Sequence, residues 1–270
     1  MTETFKTFKP QDPVVSKYVS YYYLEIKPDN ILREFECFPH FNNSISLYKS
    51  HQRVSDGTIQ YEEKGIPLQI FTPIRENILH VKQAGSIHRI VVVFDPLGIH
   101  QFYRELNFND FIRDFEFFTL SELDLLFKTD DTEALCTLLD QSLSIRYREY
   151  RNDLISEAVQ YIFDTPEGLS VEDLAEKLQI SRRHLTRVFK SIFGISVQKF
   201  QKIVLFRKTL QHKLSDNSDQ NFTSLAHEYN FSDQAHFNKM FGNFTNHSPK
   251  QFLKKGTLLG TEDTFWHLLK

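Results

Sequence analysis

The sequence predicts a two-domain α+β chain. A β-rich domain, barrel or sandwich, is followed by helices; then comes an all-α domain holding two helix–turn–helix motifs joined by a long helix. Three observations predict it. Short Val-, Ile-, Tyr- and Phe-rich runs fill residues 14–94, apolar residues recur at helical spacing from residue 132 onward, and one stretch of the helical part is repeated. With 270 residues the chain can build two separate cores. The expected division is 1–150, 151–256 and a tail of 257–270.

The strand-like runs are VVSKYVSYYYLEI, EFECF, SISLY, IPLQIF and HRIVVVF, separated by breaks such as KPDN, SDGT and KQAG. After Asp95-Pro96-Leu97-Gly98 the pattern turns helical. Leu135, Leu138, Leu139 and Leu143 form a stripe in Thr132 to Leu143, suited either to pairing two copies or to packing internally. Residues 145–152 read as a linker or as a helix crossing it. Leu154, Ile155, Ala158, Val159 and Ile162 then share a helix face that stops at Thr165-Pro166-Glu167-Gly168.

The repeat is the most informative feature. Leu174 to Phe200 reads LAEKLQISRRHLTRVFKSIFGISVQKF, and Leu225 to Phe252 reads LAHEYNFSDQAHFNKMFGNFTNHSPKQF. Leu174-Ala175 matches Leu225-Ala226, Ser181 matches Ser232, Phe189 matches Phe241, and Phe200 matches Phe252, with one residue inserted in the second copy. In the first copy a helix over Val171 to Leu178 turns at Gln179-Ile180, and Ser181 caps the next helix. Leu185, Val188, Phe189 and Ile192 form that helix's inner face. Arg183, Arg187 and Lys190 lie opposite, with Arg182 at the start and His184 and Thr186 on the flanks. Arginine reads guanine bidentately, and Lys and Thr reach phosphates or base edges, so this face suits a DNA major groove. In the second copy Phe237, Met240, Phe241 and Phe244 point inward. Ala235, Lys239 and Gly242 point outward, flanked by Asn238 and Gln234, which suit adenine; Ala235 suits a thymine methyl. Val197 to Leu214 reads as one connecting helix, and Ser215 to Phe222 as a polar loop. Lys250, Lys254 and Lys255 read as a solvated surface. Phe189, Phe193, Phe200, Phe206, Phe237, Phe241, Phe244 and Phe252 recur at core positions, so part of the excess of 26 Phe is packing.

Charge supports the same division. The formal net charge is −3 and residues 1–150 hold 16 Lys+Arg against 22 Asp+Glu, yet residues 182–255 hold 13 against 4. A basic segment in an acidic chain points to a polyanion partner.

These residues closely resemble the AraC/XylS family of bacterial transcription regulators over residues 154–253. The carrying motifs are LAEKLQISRRHLTRVFKSIFGIS and FSDQAHFNKMFGNFTNHSPKQF. Ser248-Pro249 and Phe252 fit the family signature. The sequence departs from it at Asn246 and Asn230, where Gly is usual, at Gly242 for a basic residue, and at Leu205 and Thr209 for Arg and Ala. The resemblance implies base contacts from Arg183, Thr186 and Arg187, and from Gln234, Ala235, Asn238 and Lys239. It implies promoter DNA as partner, RNA polymerase as a second, and an activator's role. The front half resembles the cupin-like sensor and dimerisation domains of these regulators, implying a small-molecule effector and a homodimer.

The competing class is an enzymatic front domain fused to a DNA-binding module. Against it, His40, His51, His80, His88 and His100 stand singly with no His-x-His pair. There is no Gly-x-Ser-x-Gly, no phosphate-binding glycine loop and no cysteine pair at metal spacing, so no catalytic residue, metal or cofactor is expected. Asp130-Asp131 and Glu62-Glu63 read as solvated turns. Cys37 and Cys136 alone build no disulfide scaffold. The longest aliphatic–aromatic run, Ile90 to Phe94, is far below the roughly 20 residues of a membrane span. The opening MTETFKTFKPQD lacks a signal peptide's apolar stretch, so a cytoplasmic protein is expected.

Overall fold

The computed structural model describes residues 3–54, 57–103, 116–165, 169–215, 222–229, 231, 233–255, 257–258 and 265–268. Strands come first: β1 (Thr4–Phe8), β2 (Val19–Lys27), β3 (Leu32–Cys37), β4 (Asn43–Tyr48), β5 (His51–Arg53), β6 (Ile59–Tyr61), β7 (Leu68–Thr72), β8 (Leu79–Ala84) and β9 (Ile87–Phe94). They form two sheets. One runs β1-β2-β9-β4-β7, with β9 central and buried along its whole length. The other contains β3-β8-β6-β5, where β6 and β8 pair in parallel. Continuous or alternating apolar residues announced β2, β3, β4, β7 and β9. The strands β1, β5, β6 and β8 carry little such signal: β5 and β6 bury one residue each, and β8 is mostly half-exposed. Backbone pairing to a stronger neighbour holds them in place.

Alternation along β9 divides two environments. Ile90, Val92 and Phe94 pack with Tyr22, Leu24, Ile45 and Leu47 against α1 (Leu120–Leu126) and α2 (Thr132–Arg146). The leucine stripe of α2 is therefore consumed internally, with Leu135, Leu139 and Leu143 fully buried. On the other face Val91 and Val93 join Tyr21 and Tyr23. Beside them Glu25 is paired with Arg33 and, at 2.5 Å, with Arg89.

Residues 147–152 are a non-helical connection, and helices then take over: α3 (Asp153–Asp164), α4 (Val171–Lys177), α5 (Arg182–Phe193), α6 (Val197–Ser215), α7 (Phe222–Glu228), α8 (Gln234–Thr245) and α9 (Pro249–Lys255). The stop signal at Pro166 to Gly168 and most of the expected 215–222 loop lie outside the described residues. One apolar cluster runs through all of these helices. Phe200 of α6 lies 5.3 Å from both Phe189 and Phe193, and Phe206 lies 5.1 Å from both Phe241 and Phe244. The phenylalanines are packing, as their spacing required.

Several features join the halves. Phe38, after β3, meets Phe252 of α9 at 4.8 Å, and Phe41 meets Phe163 at 4.9 Å. Arg207 of α6, only 3% exposed, donates to the carbonyls of Pro39 (2.6 Å) and Phe38 (2.9 Å). The stretch expected to be a tail instead supplies β10 (Thr257–Leu258) and β11 (Phe265–Leu268), and β11 pairs antiparallel with β3. Two- and four-residue strands carry too little pattern to be read ahead of the sheet they join. Among the described residues no helix is long and apolar enough to cross a membrane.

Candidate nucleic-acid interface

The first helix–turn–helix is fixed by its caps. Ser170 and Asp173 form a capping box on α4, while Leu174 and Ala175 are buried against the partner helix. Gln179 turns the chain at φ +54°, and the Ser181 hydroxyl accepts the His184 backbone N–H at 3.2 Å, starting α5. Leu185, Phe189, Ile192 and Phe193 are buried. What remains outward is Arg182, Arg183, Arg187 and Lys190, all exposed, with His184 and Thr186 half-buried.

The second motif repeats this with one shift. From α4 to α7 the offset is 51 residues and from α5 to α8 it is 52, so the inserted residue falls in the turn. Asp233 is consequently the structural counterpart of Ser181: its Oδ1 accepts the His236 N–H at 2.7 Å. Ser232, matched to Ser181 by sequence, and Asn230 lie outside the described residues. At the far end Gly194 (φ +74°) is replaced by Asn246 (φ +57°). Asparagine tolerates the left-handed conformation better than other non-glycine residues, so this departure from the family pattern preserves the cap. The offset of 52 aligns Arg182 with Gln234, Arg183 with Ala235, Thr186 with Asn238, Arg187 with Lys239, and Lys190 with Gly242. Gln234, Ala235, Asn238 and Lys239 are all exposed. The same five positions face outward twice, once strongly cationic and once nearly neutral.

A cleft of about 710 Å³ runs between α5 and α8 over α6. It brings together Arg182, Thr186 and Lys239 with Lys199, Lys202 and Asn243. Arg183, Arg187 and Lys190 line a shallower groove along α5 itself, whereas Gln234, Ala235 and Asn238 stand outside both. Sequence reading missed Lys199 and Lys202; their signal was spacing three apart on α6, between the buried Phe200, Ile203 and Val204. Several of these groups already have partners. Arg182 is ion-paired with Glu172, Arg187 Nη2 lies 3.2 Å from His184 Nδ1, and Lys199 Nζ lies 3.6 Å from Glu76 Oε2, a residue of the strand domain.

The single histidines of the front half remain apart. His51 contacts the Ser86 carbonyl at 3.0 Å, His80 faces Glu36 at 3.5 Å, His88 faces Asp130 at 3.3 Å, and His100 stacks on Tyr150. His40 Nδ1 accepts the Asn42 backbone N–H at 3.0 Å. Asp131 caps α2 through the Ala134 N–H. Among the described residues no three His, Cys, Asp or Glu side chains converge as a metal centre needs.

The Helix-turn-helix domain family model matches residues 174–255. A probable transcription factor from Proteus vulgaris, PqrA, is 31% identical over 98 residues, which is 35% of this chain and 76% of that protein. The chain belongs to the AraC family of transcription regulators. It is a DNA-binding regulator of the helix–turn–helix type. The Msm operon regulatory protein of Streptococcus mutans is 30% identical over 88 residues, but this chain spans only 31% of its length. An AraC-type transcriptional regulator structure from Chromobacterium violaceum is 25% identical, covering 36% of this chain and 87% of its own, with a TM-score of 0.33.

Proposed function

We propose that this AraC-family regulator reads two successive major grooves of promoter DNA from one face, with α5 in one groove and α8 in the next. Arg182, Arg183, His184, Thr186, Arg187 and Lys190 form the first reading surface; Gln234, Ala235, Asn238 and Lys239 form the second. The observation that carries this reading is the repetition of the same outward positions on two capped helices that share α6 as a spine. A rigid tandem suits grooves about 34 Å apart on one side of B-DNA. The second surface keeps only Lys239 of the first one's cations, so the first contributes most of the affinity and the second mainly refines sequence choice.

In this reading residues 1–150 form a sensor and dimerisation domain that controls 151–256, and the bound regulator activates transcription by contacting RNA polymerase. The Arg207 bonds to Phe38 and Pro39 support a coupled pair of domains, because they tie the connecting helix to the strand domain. Footprinting of the full chain on DNA upstream of its neighbouring genes tests the proposal. Arg187→Ala should abolish the specific footprint while leaving the fold intact by circular dichroism. Affinity should also fall steeply with salt as displaced counterions are released. An unchanged footprint in the variant, or a flat salt response, refutes it.

A further inference from the structure

A cavity of about 120 Å³ lies between the two sheets of the front domain. Ser44 and Ser46 of β4 and Thr72 of β7 line one side, with Cys37 of β3 and Val81 of β8 on the other. Arg75, three residues beyond β7, also lines it. Its guanidinium differs from the neighbouring cations. Arg89 is paired with Glu25 and His80 with Glu36, but no carboxylate pairs with Arg75 among the described residues. Arg75 Nη2 donates to the Phe38 carbonyl at 3.1 Å, and its Nε is buried without a hydrogen-bond partner among those residues.

The surroundings do not neutralise this cation. Burial pushes the Cys37 thiol up to about 11, so it carries no charge at neutral pH. The hydroxyls of Ser44, Ser46 and Thr72 make no side-chain hydrogen bond among the described residues, leaving three donors turned to the same space. A desolvated guanidinium without an anion is costly, and a carboxylate satisfies it through two parallel N–H···O bonds. Arg53 also lines the cavity but is exposed, where solvent screens it, so Arg75 is the desolvated cation of the lining without a carboxylate among the described residues, which suits a monoanion. At roughly 10–15 Å³ for each water-sized sphere, the cavity has room for on the order of ten non-hydrogen atoms, well below a drug-sized pocket.

We propose that this cavity binds a short monocarboxylic acid, with its carboxylate on Arg75 and the hydroxyls of Ser44, Ser46 and Thr72. The proposal rests on the effector-responsive reading above and names the chemical class of its effector. Its position explains how occupancy reaches the DNA-binding half. The Phe38 carbonyl accepts from Arg75 and also, at 2.9 Å, from Arg207 of α6. The adjacent residue, Glu76, holds Lys199 at the cleft between the two reading helices. An anion that draws on Arg75 therefore acts on two of the contacts between the front domain and α6.

Calorimetric titration of the full chain, without DNA, with straight-chain acids from acetate to octanoate, with pyruvate and lactate, and with inorganic phosphate tests the site itself. The expected result is saturable one-to-one binding of a short acid, weakened at least about tenfold, or roughly 1.4 kcal/mol, in both Arg75→Gln and Thr72→Val. Thr72→Val preserves side-chain shape, so it keeps the test decisive if Arg75→Gln fails to fold. Three results each overturn the proposal: no short acid binds below about 10 mM, only octanoate or phosphate binds, or folded variants bind like the wild type. Repeating the footprint with the bound acid separates the two claims. Unchanged DNA affinity alongside Arg75-dependent binding keeps the site and refutes the effector reading.

Discussion

Replacing Gly242 by arginine tests both the orientation and the weakness of the second reading helix. Gly242 lies in the third turn of α8, three residues beyond Lys239, and is the counterpart of Lys190 in α5. Its backbone asks nothing special of glycine: a Cβ built there meets only the His247 carbonyl oxygen, at an ordinary 3.9 Å. Arginine is close to alanine in helix propensity and glycine costs about 0.8–1.0 kcal/mol. Gly242→Arg should therefore raise stability by roughly that amount, a few degrees in melting temperature. One additional phosphate contact should steepen the slope of log K against log salt by about 0.9. The affinity gained should then shrink about 3.5-fold between 50 and 200 mM salt. Thermal melts and a salt series of fluorescence-anisotropy titrations measure the two effects. Gly242→Ala should reproduce the stability without the slope. An unchanged salt slope in Gly242→Arg would show that this face of α8 does not meet the DNA backbone. A drop in melting temperature would show that the helix needs glycine after all.

Three further outcomes follow from the same geometry. Arg183→Ala should weaken specific DNA binding more than Lys239→Ala, by about 1–3 kcal/mol for a lost bidentate base contact; the reverse order in a gel-shift titration would overturn the ranking of the two surfaces. Glu76→Gln should tighten DNA binding at low salt by freeing Lys199 from its carboxylate, and equal affinity in variant and wild type would remove Glu76 as a competitor for DNA phosphate. Burial depresses His51 and His100 from the ordinary 6.5 to about 4, partly offset by the Ser86 and Ile192 carbonyls. The unfolded chain thus takes up protons below pH 6.5 that the folded chain refuses, so stability should decline as pH falls from 6.5 towards 4. Urea midpoints across that range check the sign, and His51→Gln with His100→Gln should flatten the slope.

The helices α5 and α8 were legible because their information is local. Ser181, the period of Leu185, Val188, Phe189 and Ile192, and the run of cations opposite them all fall within a dozen residues. The strands β2 and β9 were legible for the same reason, being long and apolar. What escaped depends on partners distant in sequence. Arg207 has no local pattern to mark it, yet its guanidinium donates to carbonyls just after β3. Glu76 has no pattern around it, and only the packing of the front domain against α6 gives it a role. The repeat match of Ser181 to Ser232 falls one residue before the cap of α8, Asp233, because identity of residue type at the turn outweighed the helix start in aligning the repeats. Nothing in the short segments 257–258 and 265–268 announced that they would extend the sheet edge at β3.

The insertion of Phe200 from the first turn of α6 and of Phe206 from its middle into the two motifs has a consequence for how the DNA-binding half melts. Neither motif possesses a complete interior of its own, since each borrows an aromatic ring from the helix that also serves the other. Loss of one motif would strip Phe200 or Phe206 of its cover and expose an apolar groove along α6. The pair should therefore melt as a single cooperative unit. Within it the outward face of α8 differs from that of α5 while the buried sides of both rest on the same helix.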